Sequence, residues 1–392
     1  MSPAVATTLE TDQLVNDFKK KVGFKRNYSK LLPANTLARY KKHGVDVSGE
    51  YPEVPTEYPV FLEDAINVRN KDRPHNERGA YADKEKKALF GAAKEVINLT
   101  ANIGTEIVGL QLADLDDKQK DELALLIAER TVVFFRDQDL SPKKQLELGK
   151  YFGEVEVHPL VPHVPGLEGV TVLWPQQMQI EGGKATHKKP LGTAQWHSDL
   201  SHEYNPAGIT HLHNDALPPG GAGGDTAWVS GYGAYDKLSP ALQEFLDGKT
   251  AIYRSAHSYI DKKNPLGGLK FIEREHPIVR THPATGWKAL WINRHYTTRI
   301  VGLEPNESAA ILNLLFDVFE KNLDIQVRFN WHSKPSAPGR GTSALWDNRI
   351  SQHYAVFDYD DDERHGTRVA VLSERPYFDK NSKSRRQALG LD

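Results

Sequence analysis

The chain of 392 residues contains no cysteine. It can therefore form no disulfide, no thiolate zinc site and no cysteine nucleophile. Any metal ion that binds must be held by histidine, aspartate or glutamate side chains. A protein without disulfides is most simply placed in the cytoplasm, and this is the compartment that we expect.

Three further features are missing, namely net charge, a long apolar run and a signal peptide. The chain has 50 Lys+Arg against 52 Asp+Glu, which gives no electrostatic case for nucleic acid or an anionic membrane. No apolar stretch is long enough to span a bilayer. Residues 1–6 lack a charged region followed by an apolar core, so they do not predict a secretory signal. We therefore expect neither a nucleic-acid partner nor a membrane partner.

We expect three parts along the chain, since its length suffices for one large domain with additions. Residues 1–94 are predicted to be an N-terminal extension that packs on the main domain, because closely spaced prolines interrupt its pattern. Residues 95–378 are predicted to form the main domain. Residues 379–392 are predicted to be a polar C-terminal tail.

The main domain is predicted to be mainly β with flanking helices. The stretches with helical spacing are 116–129, 141–152, 239–246 and 304–321. Asp116 is expected to cap the first helix, and Ser141 followed by Pro142 is expected to open the second. A β-branched and aromatic run at 131–135 predicts a buried strand. Many short strands with few helices favour a sandwich or a jelly roll, with the helices packed outside.

One short stretch, Gln195-Trp196-His197-Ser198-Asp199, has the pattern of a metal site. His197 and Asp199 are two residues apart, so on a strand their side chains leave the same face and can converge on one ion. A second histidine from a distant strand would complete two imidazoles and one carboxylate, a set that suits ferrous iron with open positions. By itself the pair also fits a core or surface histidine that lies beside an acid.

Several separate pieces of the sequence together resemble one known family. The pieces, in chain order, are Val132-Val133-Phe134-Phe135-Arg136-Asp137-Gln138, Phe152-Gly153-Glu154 with His158-Pro159, Trp196-His197-Ser198-Asp199, Gly223-Gly224-Asp225-Thr226, Val279-Arg280-Thr281-His282-Pro283, Asn293 with Thr297-Thr298-Arg299-Ile300-Val301, Trp346-Asp347-Asn348-Arg349 with Gln352-His353-Tyr354-Ala355, and Arg364 with Arg368. They resemble the taurine/2-oxoglutarate dioxygenases, non-haem iron enzymes of the group that also contains 2,4-dichlorophenoxyacetate dioxygenase. The N-terminal extension resembles that of fungal members.

The resemblance implies a double-stranded β-helix, a jelly roll whose open end holds iron, for residues 95–378. It implies His197, Asp199 and His353 as the Fe(II) ligands and the catalytic centre. It also implies that 2-oxoglutarate and O2 are consumed, that succinate and CO2 are released, and that a substrate C–H bond is hydroxylated. Hydroxylation next to sulfur gives an unstable adduct that breaks down to an aldehyde and sulfite.

The distal carboxylate of 2-oxoglutarate needs a fixed cation, and the planar two-donor fork of arginine suits it. Family correspondence points to Arg364, with the hydroxyl of Thr226 as a neighbouring donor. Thr226 also fits a turn hydroxyl that follows a glycine-rich loop. Gly223 and Gly224 lack the Lys-Ser/Thr of a phosphate-binding loop, so we expect no nucleotide there.

The family correspondence also indicates a site for a small anionic substrate. It implies that Arg368 binds the anionic head and that His158 contacts the substrate. Val161 stands where the taurine enzymes have a tyrosine, and Thr193 where an asparagine near the amine is expected. Each change removes or shortens a polar contact, and an amine left unpaired costs about 1–3 kcal/mol. These two departures count against taurine itself within a taurine-like substrate class, whereas a larger or more apolar sulfonate is compatible.

Ser343 and Leu345, on the strand that leads to His353, are expected to face the substrate or to pack inside the barrel. Trp291 is a further candidate for the pocket wall. His211 and His213 form an H-x-H pair that could chelate a metal, but they lie outside the matched motif and are expected to be core or surface histidines. The same is expected of His163, His202, His282 and His295.

The leading hypothesis is an Fe(II)/2-oxoglutarate dioxygenase that acts on an organosulfonate. The same chemistry on an alkyl sulfate, an aliphatic amino acid or another carboxylate is the alternative. A metal-binding jelly-roll protein without catalysis is more remote, and so is a hydrolytic zinc enzyme, since Arg364 and Thr226 would then lack a purpose. Because members of the family are often dimers or tetramers, we expect this chain to form a homo-oligomer of one of these sizes.

Overall fold

The computed structural model describes residues 13, 27–55, 59–71, 73–180, 196–359 and 363–391. The helices are α1 (Ala34–Lys42), α2 (Leu62–Arg69), α3 (Lys87–Ala92), α4 (Asp117–Arg130), α5 (Pro142–Phe152), α6 (Pro175–Ile180), α7 (Gly231–Asp236), α8 (Pro240–Leu246), α9 (Pro305–Lys321) and α10 (Arg385–Leu389). None of the helices in this described part has both the length and the apolar character that crossing a bilayer requires.

Strands make up the centre of the molecule. They are β1 (Glu95–Asn98), β2 (Thr105–Val108), β3 (Val132–Gln138), β4 (His163–Val164), β5 (Leu167–Leu173), β6 (Ala207–Ala216), β7 (Thr226–Ser230), β8 (Thr250–Tyr259), β9 (Lys270–Pro277), β10 (Val279–Thr281), β11 (Lys288–Leu290), β12 (Thr297–Ile300), β13 (Gln326–Phe329), β14 (Gly341–Asp347), β15 (Ser351–Ala355) and β16 (His365–Leu372).

Two of the sheets face each other. The larger has eight strands in the order β1-β2-β3-β14-β6-β16-β5-β4, and the smaller has three in the order β13-β7-β15. Backbone hydrogen bonds in both directions join His197 to His353, so the segment at His197 lies beside β15. This arrangement of facing sheets with helices outside confirms the predicted mainly β jelly roll.

Aromatic side chains fill the space between the two sheets. Phe134 on β3 stacks on Phe329 of β13, with ring centroids 3.8 Å apart. Because side chains alternate along a strand, Val132 shares this inner face with Phe134. Val133 and Phe135 point the other way and pack in the cluster beneath α4 and α5. The run at 131–135 is therefore buried on both faces, as the sequence predicts.

The flanking helices begin where capping chemistry places them. The Asp116 side chain accepts a hydrogen bond from the backbone N–H of Gln119, and the Gln119 side chain accepts one from that of Asp116. Ser141 caps α5 through the same kind of bond, with Pro142 in the first turn. Both predicted helix starts are confirmed.

The described part of the N-terminal extension contacts the larger sheet through buried polar groups. Arg39 on α1 forms an ion pair of 2.7 Å with Asp215 at the end of β6, and both side chains are fully buried. The Tyr51 hydroxyl is 2.6 Å from His365 Nε2 on β16, and it also bonds the Tyr40 hydroxyl. Residues of the extension thus share one hydrogen-bonded network with β6 and β16.

The predicted C-terminal tail is more ordered than its polar composition indicates. Lys383 forms a backbone bridge with Trp287, and the hydroxyls of Ser382 and Thr281 are 3.0 Å apart. Ser384 and Gln387 then form the capping box of α10. Polar composition does not reveal this docking, because backbone bonds and a cap hold the segment, and these need no apolar side chains.

Candidate active site

Three ligand atoms converge beside the smaller sheet. Asp199 Oδ1 lies 3.6 Å from His197 Nε2 and 3.9 Å from His353 Nε2. The two imidazole rings are 4.2 Å apart between centroids, and one ligand atom from each of the three residues lies within 4.8 Å of the others. This spacing lets the two imidazoles and the carboxylate bind a single metal ion.

The protonation states of the buried ligands suit metal binding. Burial lowers the pKa of His353 to about 3, so its imidazole is neutral at physiological pH. Burial alone would raise the pKa of Asp199, but Arg368 and the two histidines outweigh it and lower this pKa to about 2. A neutral imidazole and an ionised carboxylate are the forms that bind a metal.

Hydrogen bonds from the turn before β15 fix the ligand segment. The backbone N–H of Asp199 donates to Asn348 Oδ1 at 3.0 Å, and the Ser198 hydroxyl donates to the carbonyl of Ser351 at 2.6 Å. Asn348 in turn donates to the carbonyl of Gly208 on β6. Asn348 is thus a supporting residue whose role the sequence did not reveal, although it lies within the Trp346-Asp347-Asn348-Arg349 motif.

A cavity of about 240 Å³ adjoins the ligands, and the side chains of His197 and His353 are part of its wall. Most of the remaining wall is apolar, with Leu173, Leu212 and Phe357 among its residues. Apolar walls keep water away from a reacting centre and strengthen electrostatic interactions within it.

Arg364 and Thr226 line this same cavity. Arg364 is buried, lies 3.4 Å from the Tyr359 hydroxyl and forms no ion pair within the described part of the chain. The Thr226 hydroxyl accepts a hydrogen bond from Trp331 Nε1 at 3.0 Å, which leaves its own O–H to donate. A buried guanidinium beside a free hydroxyl donor suits a carboxylate.

The glycine-rich loop beside this arginine requires glycine for its backbone conformation. A Cβ atom on Gly224 would lie 3.4 Å from Arg364 Nη1, and Gly224 has φ +71°, a conformation that other residues rarely adopt. The loop before β7 therefore has a structural reason for its glycines. The ligand triad, the cavity and Arg364 with Thr226 together fit Fe(II) and 2-oxoglutarate.

Arg368 reaches the metal site from β16. Its Nη1 lies 3.3 Å from Asp199 Oδ2, and its buried Nε has no hydrogen-bond partner in the part of the chain that the structure describes. Arg368 also lines the cavity. It can therefore donate to an anion placed next to the metal.

His158 lies on another side of the centre, at a second cavity of about 50 Å³ that Tyr296 also lines. Its Nδ1 accepts hydrogen bonds from the backbone N–H groups of Leu160 and Val161, so Nε2 carries the proton. Burial and neighbouring Arg69 hold the pKa of His158 well below its usual range, so the ring is neutral.

The two positions at which the sequence departs from the taurine pattern differ in what the structure shows. Val161 is half-buried and follows the His158 turn, where its backbone N–H contacts the imidazole. Thr193 lies in 181–195, outside the described residues.

Ser343 and Leu345 are not brought to the cavity. The Ser343 hydroxyl lies 3.0 Å from His211 Nε2 and 2.9 Å from His213 Nδ1, on the outer face of β14. Leu345 packs in the cluster beneath α4 and α5. The next residue, Trp346, lines the cavity instead, because side chains alternate along the strand.

The other candidates that the sequence raised are structural. Trp291 lies in a core cluster and donates from its indole to the carbonyl of Asn348, away from the cavity. His211 and His213 are buried beside Ser343, as predicted for residues outside the ligand motif. His282 is fully buried and bonds the Asp347 carboxylate at 2.9 Å.

A jelly roll with two imidazoles, one carboxylate and a nearby buried arginine defines an iron- and 2-oxoglutarate-dependent oxygenase. Residues 95–370 match the family described as "Taurine catabolism dioxygenase TauD, TfdA family". The chain belongs to this TauD/TfdA family and is an Fe(II)-, 2-oxoglutarate- and O2-dependent dioxygenase, as the sequence predicts.

Similar proteins agree with this assignment. An alpha-ketoglutarate-dependent sulfonate dioxygenase of Saccharomyces cerevisiae is 34% identical, over 73% of this chain and 68% of its own. An alpha-ketoglutarate-dependent sulfate ester dioxygenase of Pseudomonas putida is 30% identical, over 72% of this chain and 90% of its own. The crystal structure of a taurine dioxygenase from Burkholderia xenovorans superposes with a TM-score of 0.60 at 30% identity, over 72% of this chain and 91% of that one.

Proposed function

We propose that this dioxygenase hydroxylates a small organosulfonate at the carbon that carries the sulfonate. The overall change couples conversion of 2-oxoglutarate and O2 into succinate and CO2 to insertion of one oxygen atom into a C–H bond. The hydroxylated product loses its hydroxyl proton as the C–S bond breaks, and the bonding electron pair leaves with sulfite. An aldehyde remains.

The observation that carries this proposal is Arg368, a half-buried arginine beside Asp199 whose buried Nε is an unused donor among the described residues. An anion bound there holds the carbon next to its head group close to the metal. The name of the Saccharomyces cerevisiae relative supports a sulfonate, since that protein is called a sulfonate dioxygenase.

Different residues of the site bind the metal ion, bind 2-oxoglutarate and exclude water. When bound at His197, Asp199 and His353, iron supplies the activation of O2 that oxidises both substrates. Arg364 and Thr226 hold the distal carboxylate of 2-oxoglutarate, as a bidentate arginine with a hydroxyl donor can. The apolar wall of the cavity excludes water during the reaction.

The substrate side has its own donors. Arg368 binds the sulfonate head, and the protonated Nε2 of His158 is a further donor towards it. From the family correspondence alone, we assign to Val161 and Thr193 the role of setting the space around the rest of the substrate.

An alkyl sulfate is the second candidate, because the Pseudomonas putida relative is named a sulfate ester dioxygenase. The same arginine would bind the sulfate head, and hydroxylation of the adjacent carbon would release sulfate in place of sulfite. An amino acid or another carboxylate would use Arg368 in the same way and release no sulfur.

The chain organisation is part of the proposal. Residues 1–94 serve as the extension, residues 95–378 as the dioxygenase domain and residues 379–392 as the C-terminal segment. The protein acts in the cytoplasm as a dimer or tetramer. Light scattering of the purified protein tests the assembly, and a monomer at all concentrations would contradict it.

Oxygen uptake tests the substrate class. The protein with Fe(II) and 2-oxoglutarate is offered taurine, longer alkanesulfonates, alkyl sulfates and aliphatic amino acids in parallel. We expect sulfonates to give the greatest stimulation over the rate without substrate. Stimulation by a carboxylate alone would overturn the sulfonate assignment and would leave the dioxygenase class intact.

A further inference from the structure

The N-terminal extension places one buried cation near the substrate side of the metal site. Arg69 is the last residue of α2, and only 8% of its side chain is exposed. Its Nη1 bonds Glu203 Oε1 at 2.9 Å, and its Nη2 bonds the carboxylate of Glu156. The two carboxylates are 5% and 2% exposed, so all three charges are removed from water.

Glu156 also faces Arg368. A bridge joins Val155 to Val371, and the backbone N–H of Glu156 donates to the carbonyl of Ala370 at 2.9 Å. Glu156 therefore lies opposite Ala370, and Arg368 is its diagonal neighbour on the same face, a separation that long side chains can span. Burial raises the pKa of Glu156, while the charges of Arg69 and then Arg368 oppose that rise.

The result is a row of alternating charges, in the order Arg69, Glu156, Arg368 and Asp199. Arg69 bonds Glu156 directly, and Arg368 bonds Asp199. The carboxylate of Glu156 thus has two arginines within reach and is hydrogen-bonded to the one from the extension. Because Glu156 bonds Arg69, the Nε of Arg368 has no hydrogen-bond partner among the described residues.

We propose that Arg69 is a positioning residue for the substrate: it holds Glu156 away from Arg368, so that Arg368 keeps its guanidinium for the substrate anion. The inference rests on the proposed anion site at Arg368. A buried carboxylate that loses its partner is costly and takes the nearest cation. Without Arg69, Glu156 turns to Arg368 and competes with the substrate.

Calorimetric titration of ethanesulfonate tests the inference. This probe has an anionic head and no second polar group, so its Kd reports the anion site alone. The full chain is loaded with Mn(II) and 2-oxoglutarate without oxygen. We expect Arg69→Met to weaken ethanesulfonate binding about tenfold or more. The affinity for 2-oxoglutarate should stay within about twofold, because Arg364 lies outside this row of charges.

The double variant Arg69→Met/Glu156→Gln separates positioning from general damage. Glutamine keeps the shape of Glu156 and removes the charge, so we expect ethanesulfonate affinity to return to within about threefold of the starting protein. Arg69→Met/Glu203→Gln is the matched control and should not recover. Equal recovery in both double variants, or recovery in neither, would overturn the inference.

Loss of Arg69 removes the arginine that pairs with both buried carboxylates and leaves Glu203 only His202, so Arg69→Met can fail to fold. In that event Glu156→Gln is compared with Arg69→Met/Glu156→Gln. We expect the same ethanesulfonate Kd for both, since Arg69 has no carboxylate to hold at position 156. A clearly weaker double variant would overturn the inference.

Two further measurements keep the proposals apart. Arg78→Met removes a partly exposed arginine of the extension that pairs with Asp121, and we expect it to change the affinity for neither ligand. If Arg368→Ala leaves ethanesulfonate binding unchanged, the anion site itself is wrong and the inference falls with it. If binding depends on Arg368 and not on Arg69, only the inference is wrong.

Discussion

The two arginines that we assign to the two substrates are four residues apart and have different surroundings. Arg364 is held by the Tyr359 hydroxyl and has no ion pair within the described residues. Arg368 lies next to Asp199 and within reach of Glu156. Arg364, which we assign to 2-oxoglutarate, thus has no charged partner among the described residues. Arg368, which we assign to the prime substrate, belongs instead to a row of charges in which other residues influence it.

The largest expected loss of activity comes from removing a proposed ligand of the metal ion, which both substrates need. His353→Ala deletes one of the three proposed metal ligands, so succinate formation should fall by about a thousandfold or more, whichever substrate is present. Succinate is measured by mass spectrometry, and bound iron is measured in the same preparation.

His43→Ala, which changes a histidine of the extension that pairs with Asp139, serves as the control and should retain activity. Substantial turnover in His353→Ala would show that His353 is not a ligand.

The comparison predicts next that Arg364→Met acts on the cosubstrate alone. A buried carboxylate that loses its charged partner costs about 2–5 kcal/mol, so the Michaelis constant for the cosubstrate should rise by at least about thirtyfold. The Michaelis constant for the sulfonate, from initial rates at saturating 2-oxoglutarate, should stay within about twofold.

Arg328→Met is the control for this variant. Arg328 is more than half exposed and pairs with Asp225 and Asp358 near the same loop. An equal loss for both substrates in Arg364→Met would mean that the two anion sites are not separate.

Arg368→Ala should show the opposite pattern with a smaller size. Arg368 already bonds Asp199, which offsets part of its attraction for a substrate anion. We therefore expect Arg368→Ala to weaken sulfonate binding by about 2 kcal/mol, or about thirtyfold. The Michaelis constant for the cosubstrate should change little. Arg375→Ala, at a side chain that contacts the ring and hydroxyl of Tyr204, is the matched control.

If Arg368→Ala weakens binding of the cosubstrate more than binding of the sulfonate, the two assignments are exchanged. Such an exchange would leave the metal ligands untouched.

The smallest expected effect concerns the hydroxyl donor that we assign to 2-oxoglutarate. Thr226→Val keeps the shape of a buried side chain and removes one donor, so the Michaelis constant for the cosubstrate should rise by about fivefold, or about 1 kcal/mol. The same kinetic assay measures it, with Thr250→Val at a more exposed threonine as the comparison. No change would mean that the Thr226 hydroxyl serves Trp331 alone.

The sequence predicted the parts of this molecule that local patterns specify. Capping at Asp116 and Ser141, the buried strand at 131–135 and the jelly roll all follow from alternation, caps and family motifs. The three proposed ligands were named from their motifs, and the structure brings them together.

What the sequence could not predict depends on which way a strand faces and on contacts between distant segments. Ser343 and Leu345 are two residues apart on the strand that leads to His353, so they share one face of it. In the observed register of β14 that face points away from the cavity, and Trp346 lines the cavity instead. The pairing of Arg69 with Glu156 joins residues 87 positions apart, and no local pattern marks it.

The most direct test of the proposed function is the ratio of sulfite to succinate formed by the complete enzyme with its best sulfonate. Hydroxylation at the sulfonate-bearing carbon predicts one sulfite for each succinate, within the error of the assay. Succinate without sulfite, accompanied by a stable hydroxylated sulfonate, would show that the substrate is held with another carbon at the metal. Such a result would contradict our placement of the anion at Arg368.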